Sequence, residues 1–237
     1  MDSYAKPPIT EAVIEVRSAS PITEAEFEHV SRLLQKRYKQ KEELREFSMT
    51  VGPAPSVTNK LLGYRLTNEE ASFVAQPRKN GLSFSSLAPY PGWEAFTGEF
   101  EEVLRLWRKA VGSRKTERFG VRFMNRIDIP REDNFNSNDY LNVGIVLPPS
   151  TSDASLGWQV GSISPLEGSR FSLGIRCGST DQVLIAHASY TLDLDFFVEV
   201  DAPHTDTDIM AALNEVREIK NRVFEECITD QTRELLK

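Results

Sequence analysis

Asp193 and Asp195 stand two residues apart and Arg122 and Arg126 four apart, each pair inside a run that alternates apolar with polar side chains. Side chains of a strand point to alternate faces, so residues two apart project together, about 6.6 Å from one another. If the two runs are neighbouring strands, opposite charges meet across the ladder. Three chemistries fit that arrangement. A cross-strand salt-bridge network needs no ligand, and it is the reading the balance of charges favours. The sharper readings are a DxD pair holding a divalent cation through oxygen, or two arginines gripping a phosphate or carboxylate in bidentate fashion.

Other groups offer less. The sequence has no P-loop, no GxGxxG after a strand, no GxSxG elbow and no HExxH. His29, His187 and His204 have no cysteine or carboxylate at ligand spacing, and Ser85 and Ser86 have no partner identifiable from spacing. No catalytic residue, metal site or cofactor is therefore expected. Cys177 and Cys227 match no zinc or CxxC spacing and read as free thiols of a reducing cytoplasm.

The charged pairs need elements to hold them. In RFGVRFMNRIDIP, Arg118 to Pro130, one face carries Phe119, Val121, Phe123, Ile127 and Ile129, interrupted by Asn125. Arg118, Arg122, Arg126 and Asp128 form the other face. A second long strand, about Val183 to Val200, turns Leu192, Leu194, Phe196, Val198 and Val200 one way and Asp193, Asp195 and Glu199 the other. Ahead of these lies a strand in ITEAVIEVR, then a helix with Thr23 as N-cap, Glu26 completing a capping box and Ile22 stapled to Phe27. The exposed side of that helix, with Arg32, Lys36, Arg37, Lys39 and Lys41, is basic. Strands follow at about Leu44 to Val51, Leu61 to Thr67, Ala71 to Gln76 and Leu82 to Leu87, and Asn80-Gly81 signals a type I′ hairpin. Trp93, Phe96, Phe100, Val103, Leu104, Trp107 and Val111 mark a second helix, closed by Gly112, whose tryptophans belong to the core.

Further strands are expected at about Trp158 to Ser164 and Arg170 to Cys177, between loops. A terminal helix opens near Asp206 or Thr207, buries Ile209, Leu213, Val216, Ile219 and Val223, and breaks at Thr229 and Asp230. Together these elements predict a single α+β domain over residues 1–237, a predominantly antiparallel twisted sheet with three long helices packed on one face. Both halves, 1–116 and 117–237, run strand, strands, long helix, which suggests pseudo-duplication, although the second lacks a counterpart of the first helix.

Composition narrows the class. Charged residues at 27% and hydrophobic residues at 40% of 237 are ordinary for a folded soluble domain, and the net charge of −7 disfavours non-specific nucleic-acid binding. No apolar run is long enough for a membrane span, and the N-terminus lacks a signal-peptide pattern, so a cytoplasmic location is expected.

Four stretches, PPITEAVIEVR, LAPYPGWEAF, RFGVRFMNRIDIP and VFEECITDQTRELL, occur in this order along nearly the whole chain. They resemble the TIGR04255 family, sporadically distributed prokaryotic proteins with no assigned activity. The resemblance implies one family member and supplies no catalytic residues.

The terminal helix carries Met210, Phe224 and Ile228 beside its main stripe, an apolar arc wide enough to need a second cover. That cover is either a loop of the same chain, the proline-rich segment after Leu147, or a partner, including a second copy in a homodimer. The function expected first is a non-catalytic binding or regulatory module acting through protein partners. The alternative is an enzyme or sensor for a phosphorylated small molecule or nucleotide, using Arg122, Arg126, Asp193 and Asp195.

Overall fold

The structure is a computed structural model that describes residues 4, 7–50, 52, 56–131, 135–146, 148, 150 and 157–237. Alternation in the first segment forms strand β1 (Ile9–Ser18), which buries Ala12, Ile14 and Val16. Helix α1 (Glu24–Leu34) starts on the expected capping box: Glu26 N–H donates to Thr23 Oγ1 at 3.3 Å and Thr23 N–H to Glu26 Oε2 at 2.9 Å. The Thr23 N–H foremost, and then the Thr23 hydroxyl, which donates to Glu26 Oε2 at 2.8 Å, hold the Glu26 carboxyl below its ordinary pKa. Strands β2 (Gln40–Thr50), β3 (Ser56–Thr67), β4 (Phe73–Arg78) and β5 (Gly81–Leu87) lead to helix α2 (Trp93–Val111).

The second half contains β6 (Thr116–Pro130), one 3-10 turn (Ser137–Asp139), β7 (Gln159–Pro165), β8 (Ser172–Thr180), β9 (His187–Val198), α3 (Asp206–Cys227) and the short α4 (Asp230–Leu236). Only part of the EDNFNSNDY loop is described, and its helical turn is Ser137–Asp139. The second long strand begins at His187 rather than Val183, because Val183, Leu184 and Ile185 stand exposed in a loop closed by Ala186 at φ 56°.

The Asn80-Gly81 hairpin forms, but with its turn one residue earlier. Arg78 pairs with Gly81, leaving Lys79 and Asn80 as the loop, and Asn80 does not take the positive φ that a type I′ turn requires. Gly81 answers a different need: a Cβ there would come within 2.1 Å of the Val16 carbonyl oxygen on β1.

All nine strands join one antiparallel sheet in the order β2-β3-β4-β5-β1-β6-β9-β8-β7. Outward from the central β1–β6 pair, one side runs β5, β4, β3, β2 and the other β9, β8, β7. Each half therefore opens on a central strand, meanders back to it from the edge, and ends in a helix laid across its strands. The second half has the 3-10 turn where the first has α1.

The helices occupy one face: α1 over β3 and β4, α2 over β5, α3 over β6 and β9, and α4 over β6. Of these, α2 with 19 residues and α3 with 22 are long, whereas α1 has 11. Beneath them lies one apolar core in which Phe84 meets Phe96 and Phe100 at ring distances of 5.8 and 6.0 Å and Trp107 is fully buried. No described helix is long and apolar enough to cross a membrane. The opposite face carries the alternate, polar residues of the central strands.

Candidate functional site

The open face gathers the predicted charges. Strand β6 pairs with β9 so that Arg122 stands opposite Asp195 and Met124 opposite Asp193. The side chains choose the diagonal instead. Arg122 donates from Nε and Nη2 to the two oxygens of Asp193 at 2.7 and 2.5 Å, which raises the guanidinium pKa. Asp195 accepts from Arg118 at 2.7 Å, and Arg118 also donates to Glu15 of β1 at 2.6 Å. Burial raises the Asp195 carboxyl pKa despite Arg118 and Arg122.

Arg126 belongs to another cluster: it donates to Asp128 at 3.0 Å, to Ser189 Oγ at 2.8 Å and to the Asp181 carbonyl at 2.7 Å. The four predicted residues thus share a face, but Arg126 takes no part in the pairing of Asp193 and Asp195. Each of the four is bound to an opposite charge. An ion binding to these four residues would have to compete with their ion pairs, and no cluster of metal-ligating side chains occurs among the described residues.

The predicted interface is also rearranged. Ile228 is 0% exposed, because it bridges to Leu141 and the backbone on either side joins in: Asn142 N–H donates to the Cys227 carbonyl at 2.9 Å and Thr229 N–H to the Tyr140 carbonyl at 3.0 Å. Ile228 is thus covered by its own chain and is not an interface residue. Met210 and Phe224 are half-buried against the core, Phe224 meeting Tyr4 edge-on at 6.2 Å. Leu141 and its neighbours cover Ile228 and Tyr4 packs on Phe224, while the segment after Leu147 lies largely outside the described residues.

On the helix side of the same central strands is a cleft of about 510 Å³ that motif reasoning missed. Its floor is Phe123 and Asn125 of β6 with Leu194 of β9. One wall is Tyr90, Pro91 and the start of α2, another is Arg217, Lys220 and Phe224 of α3, and the third is Tyr4 with Pro7, Pro8 and Ile9. Every one of the four sequence blocks contributes to this lining. They meet because the start of α2 and the second half of α3 flank the point where β1 joins β6. Arg217 pairs with Glu94 across the two helices.

A bulge in the β1–β6 ladder, between Ile9 and Glu11, lies beside Asn125. Asn125 is 3% exposed, and its amide donates to the Leu192 carbonyl at 2.9 Å. That bond explains how an amide interrupts the apolar face.

Lys220 is the distinctive group. Its Nζ lies 5.4 Å from the ring centroids of both Trp93 and Phe123, and it donates to Asn221 Oδ1 at 2.6 Å. No carboxylate pairs with it among the described residues, since Glu94 is held by Arg217, and Glu225 by Arg233 and the Tyr4 hydroxyl. Burial, helped by the charge of Arg217 and opposed by Glu94, lowers its pKa from 10.5 to about 8. The Tyr90 hydroxyl lines the same cleft, buried and without a hydrogen-bond partner. Burial foremost, with the charge of Glu94, raises its pKa.

Helix α2 starts at Gly92 without a side-chain cap, and Gly92, Trp93 and Glu94 line this cleft. The aromatic walls, the lone ammonium and the uncapped helix end suit a small organic anion with a planar part. Trp93, expected in the core, is both core and wall at 7% exposure. The usable sequence signal was the PYPGW run, in which prolines and a glycine stand where a capping side chain would be expected. No family model matches the chain and no curated protein matches it.

Proposed function

We propose that the protein is a binding module that takes a small organic anion with a planar apolar portion in the cleft between α2, α3 and the β1–β6 junction. The observation that carries this reading is Lys220, an ammonium flanked by two aromatic rings in a cavity whose two carboxylates, Glu94 and Glu225, are held by Arg217 and Arg233. An ammonium without an opposite charge in a half-buried site is costly, and an incoming anion offsets that cost. Arg122, Arg126, Asp193 and Asp195 support a ligand less well, because each is already bound to an opposite charge.

The test is thermal denaturation with a panel of aromatic carboxylates and phosphates, on the wild type and on Lys220→Met. A ligand at 100 times its dissociation constant stabilises the wild type by about 2.7 kcal/mol. The variant should lose that shift while keeping its own cooperative melt. A panel without effect on the wild type, or an equal shift in the variant, refutes the reading.

A protein partner is a second reading, favoured by one observation. The ribbon of β2 and β3 exposes Phe47, Met49 and Val57 at 68–72%, in register on one side with Met49 opposite Val57. Phe47→Glu should reduce the solution mass of any complex with a second copy. A wild type that is monomeric by light scattering removes the self-association form of this reading.

A further inference from the structure

The geometry points to covalent capture: Lys220 forms an imine with the carbonyl carbon of a 2-oxo acid bound in the cleft. This rests on the cleft being a ligand site and deepens it by naming the ligand class.

Three features of the cleft support the assignment. The Lys220 amine is not tied into an ion pair, so it can lose its proton without leaving a carboxylate stranded. At its pKa of about 8, roughly a tenth of the molecules hold it neutral at pH 7, against about one in a few thousand for an ordinary lysine. Trp93 and Phe123 flank it, and apolar flanks favour the neutral amine that must attack the carbonyl carbon.

The third feature is a pair of polar groups on residues that line the same cleft. Among the residues lining the cleft, the Tyr90 hydroxyl is the buried polar group without a partner, available to donate to the carbonyl oxygen. The uncapped start of α2 offers N–H groups for the carboxylate of the same molecule, and a 2-oxo acid places a carbonyl directly beside a carboxylate.

The step balances without an external oxidant or reductant. The lone pair of neutral Nζ forms the C–N bond as the C=O π electrons move to oxygen, and one proton passes from nitrogen to that oxygen to give a carbinolamine. The C–O bond then breaks as nitrogen's electrons form the C=N bond, and the hydroxyl leaves as water with the second proton from nitrogen.

The experiment uses the full chain with phenylpyruvate, with and without sodium borohydride, read by intact mass and peptide mapping. Borohydride reduces the C=N bond and fixes the ligand on nitrogen. The expected result is one adduct per chain, mapped to Lys220 and absent from Lys220→Met. Labelling spread over exposed lysines at the level seen in Lys220→Met, or no adduct, overturns the imine. A thermal shift with phenylpyruvate but no adduct overturns the imine and leaves anion binding standing; neither shift nor adduct, with no shift from the wider panel, overturns both. Should Lys220→Met fail to fold, the mapped position in the wild type decides.

Discussion

The two faces of the central strands treat charge in opposite ways. On the open face of β6, Arg118, Arg122 and Arg126 all find carboxylates, and Arg118 is bound between two of them. On the helix face of the same strand, one residue over, Phe123 and Asn125 floor a cleft in which Lys220 finds none. A sheet face open to water accumulates cross-strand pairs because both partners arrive by alternation. A cleft under helices is closed by side chains from distant segments, and nothing in local patterning supplies a counter-charge. Density of charge is therefore a poor guide to a binding site here, and the group without an opposite is a better one.

The largest effect expected from breaking this contrast comes from Phe123→Ala. The ring lies 6.4 Å from both Trp93 and Phe196, and its loss should cost about 3–5 kcal/mol in chemical denaturation and abolish the ligand shift. A loss under about 1 kcal/mol would place the cleft floor elsewhere.

Next is Arg118→Met, which leaves Glu15 and Asp195 facing each other. Both carboxylates are more than a quarter exposed, so the expected destabilisation is about 2 kcal/mol, less than the ~3–5 of a fully buried pair. Arg122→Met should cost about 1 kcal/mol, since Arg122 is 38% exposed where Arg118 is 12%. Urea denaturation of the two variants ranks them, and the reverse order would mean that Arg122 anchors the network. Neither change should alter ligand binding at the cleft.

A smaller effect concerns pH. Lys220 has a lowered folded pKa of about 8, so it is charged below that value and loses its proton as pH rises through it. Benzoate, which does not titrate in this range, should bind with constant affinity near neutrality and up to about tenfold more weakly per pH unit well above 8. Calorimetric titration from about pH 6.5 to 9.5 reads this, and a flat profile would take the ammonium out of recognition.

The smallest effect is a gain. The lowered pKa means that the fold disfavours the charged amine, a penalty that is complete below about pH 8 and fades as pH climbs toward the ordinary 10.5. Lys220→Met should be about 0.5–1 kcal/mol more stable than wild type at pH 7, with the gap closing near pH 10, as read by melting curves at both values.

Much of the fold was legible because it depends on short periods. Alternation placed β1, β6 and the charged side of β9, and the Thr23–Glu26 capping box marked the start of α1 within one residue. The hairpin at Asn80-Gly81 was legible in place but not in type, because Gly81 answers to the Val16 carbonyl on another strand. The Arg/Asp face followed from period two alone. Its diagonal pairing, with Arg118 rather than Arg122 on Asp195, depends on how long side chains reach across two strands. Lys220 looked like any other helix lysine, and only the convergence of four segments separated by tens to hundreds of residues sets it apart.

The asymmetry between the halves bears on how the sheet opens. The β3–β4 region lies under α1, whereas β7 stands at the far edge with nearly all its residues exposed, and a 3-10 turn stands where a covering helix would be. Backbone amides in β1 and β6, paired on both sides beneath the long helices, should exchange with solvent deuterium only on global unfolding, while those of β7 exchange through local fraying. The molecule would then carry a gradient of protection, steep toward β7 and shallow toward β4, with the cleft at its protected end.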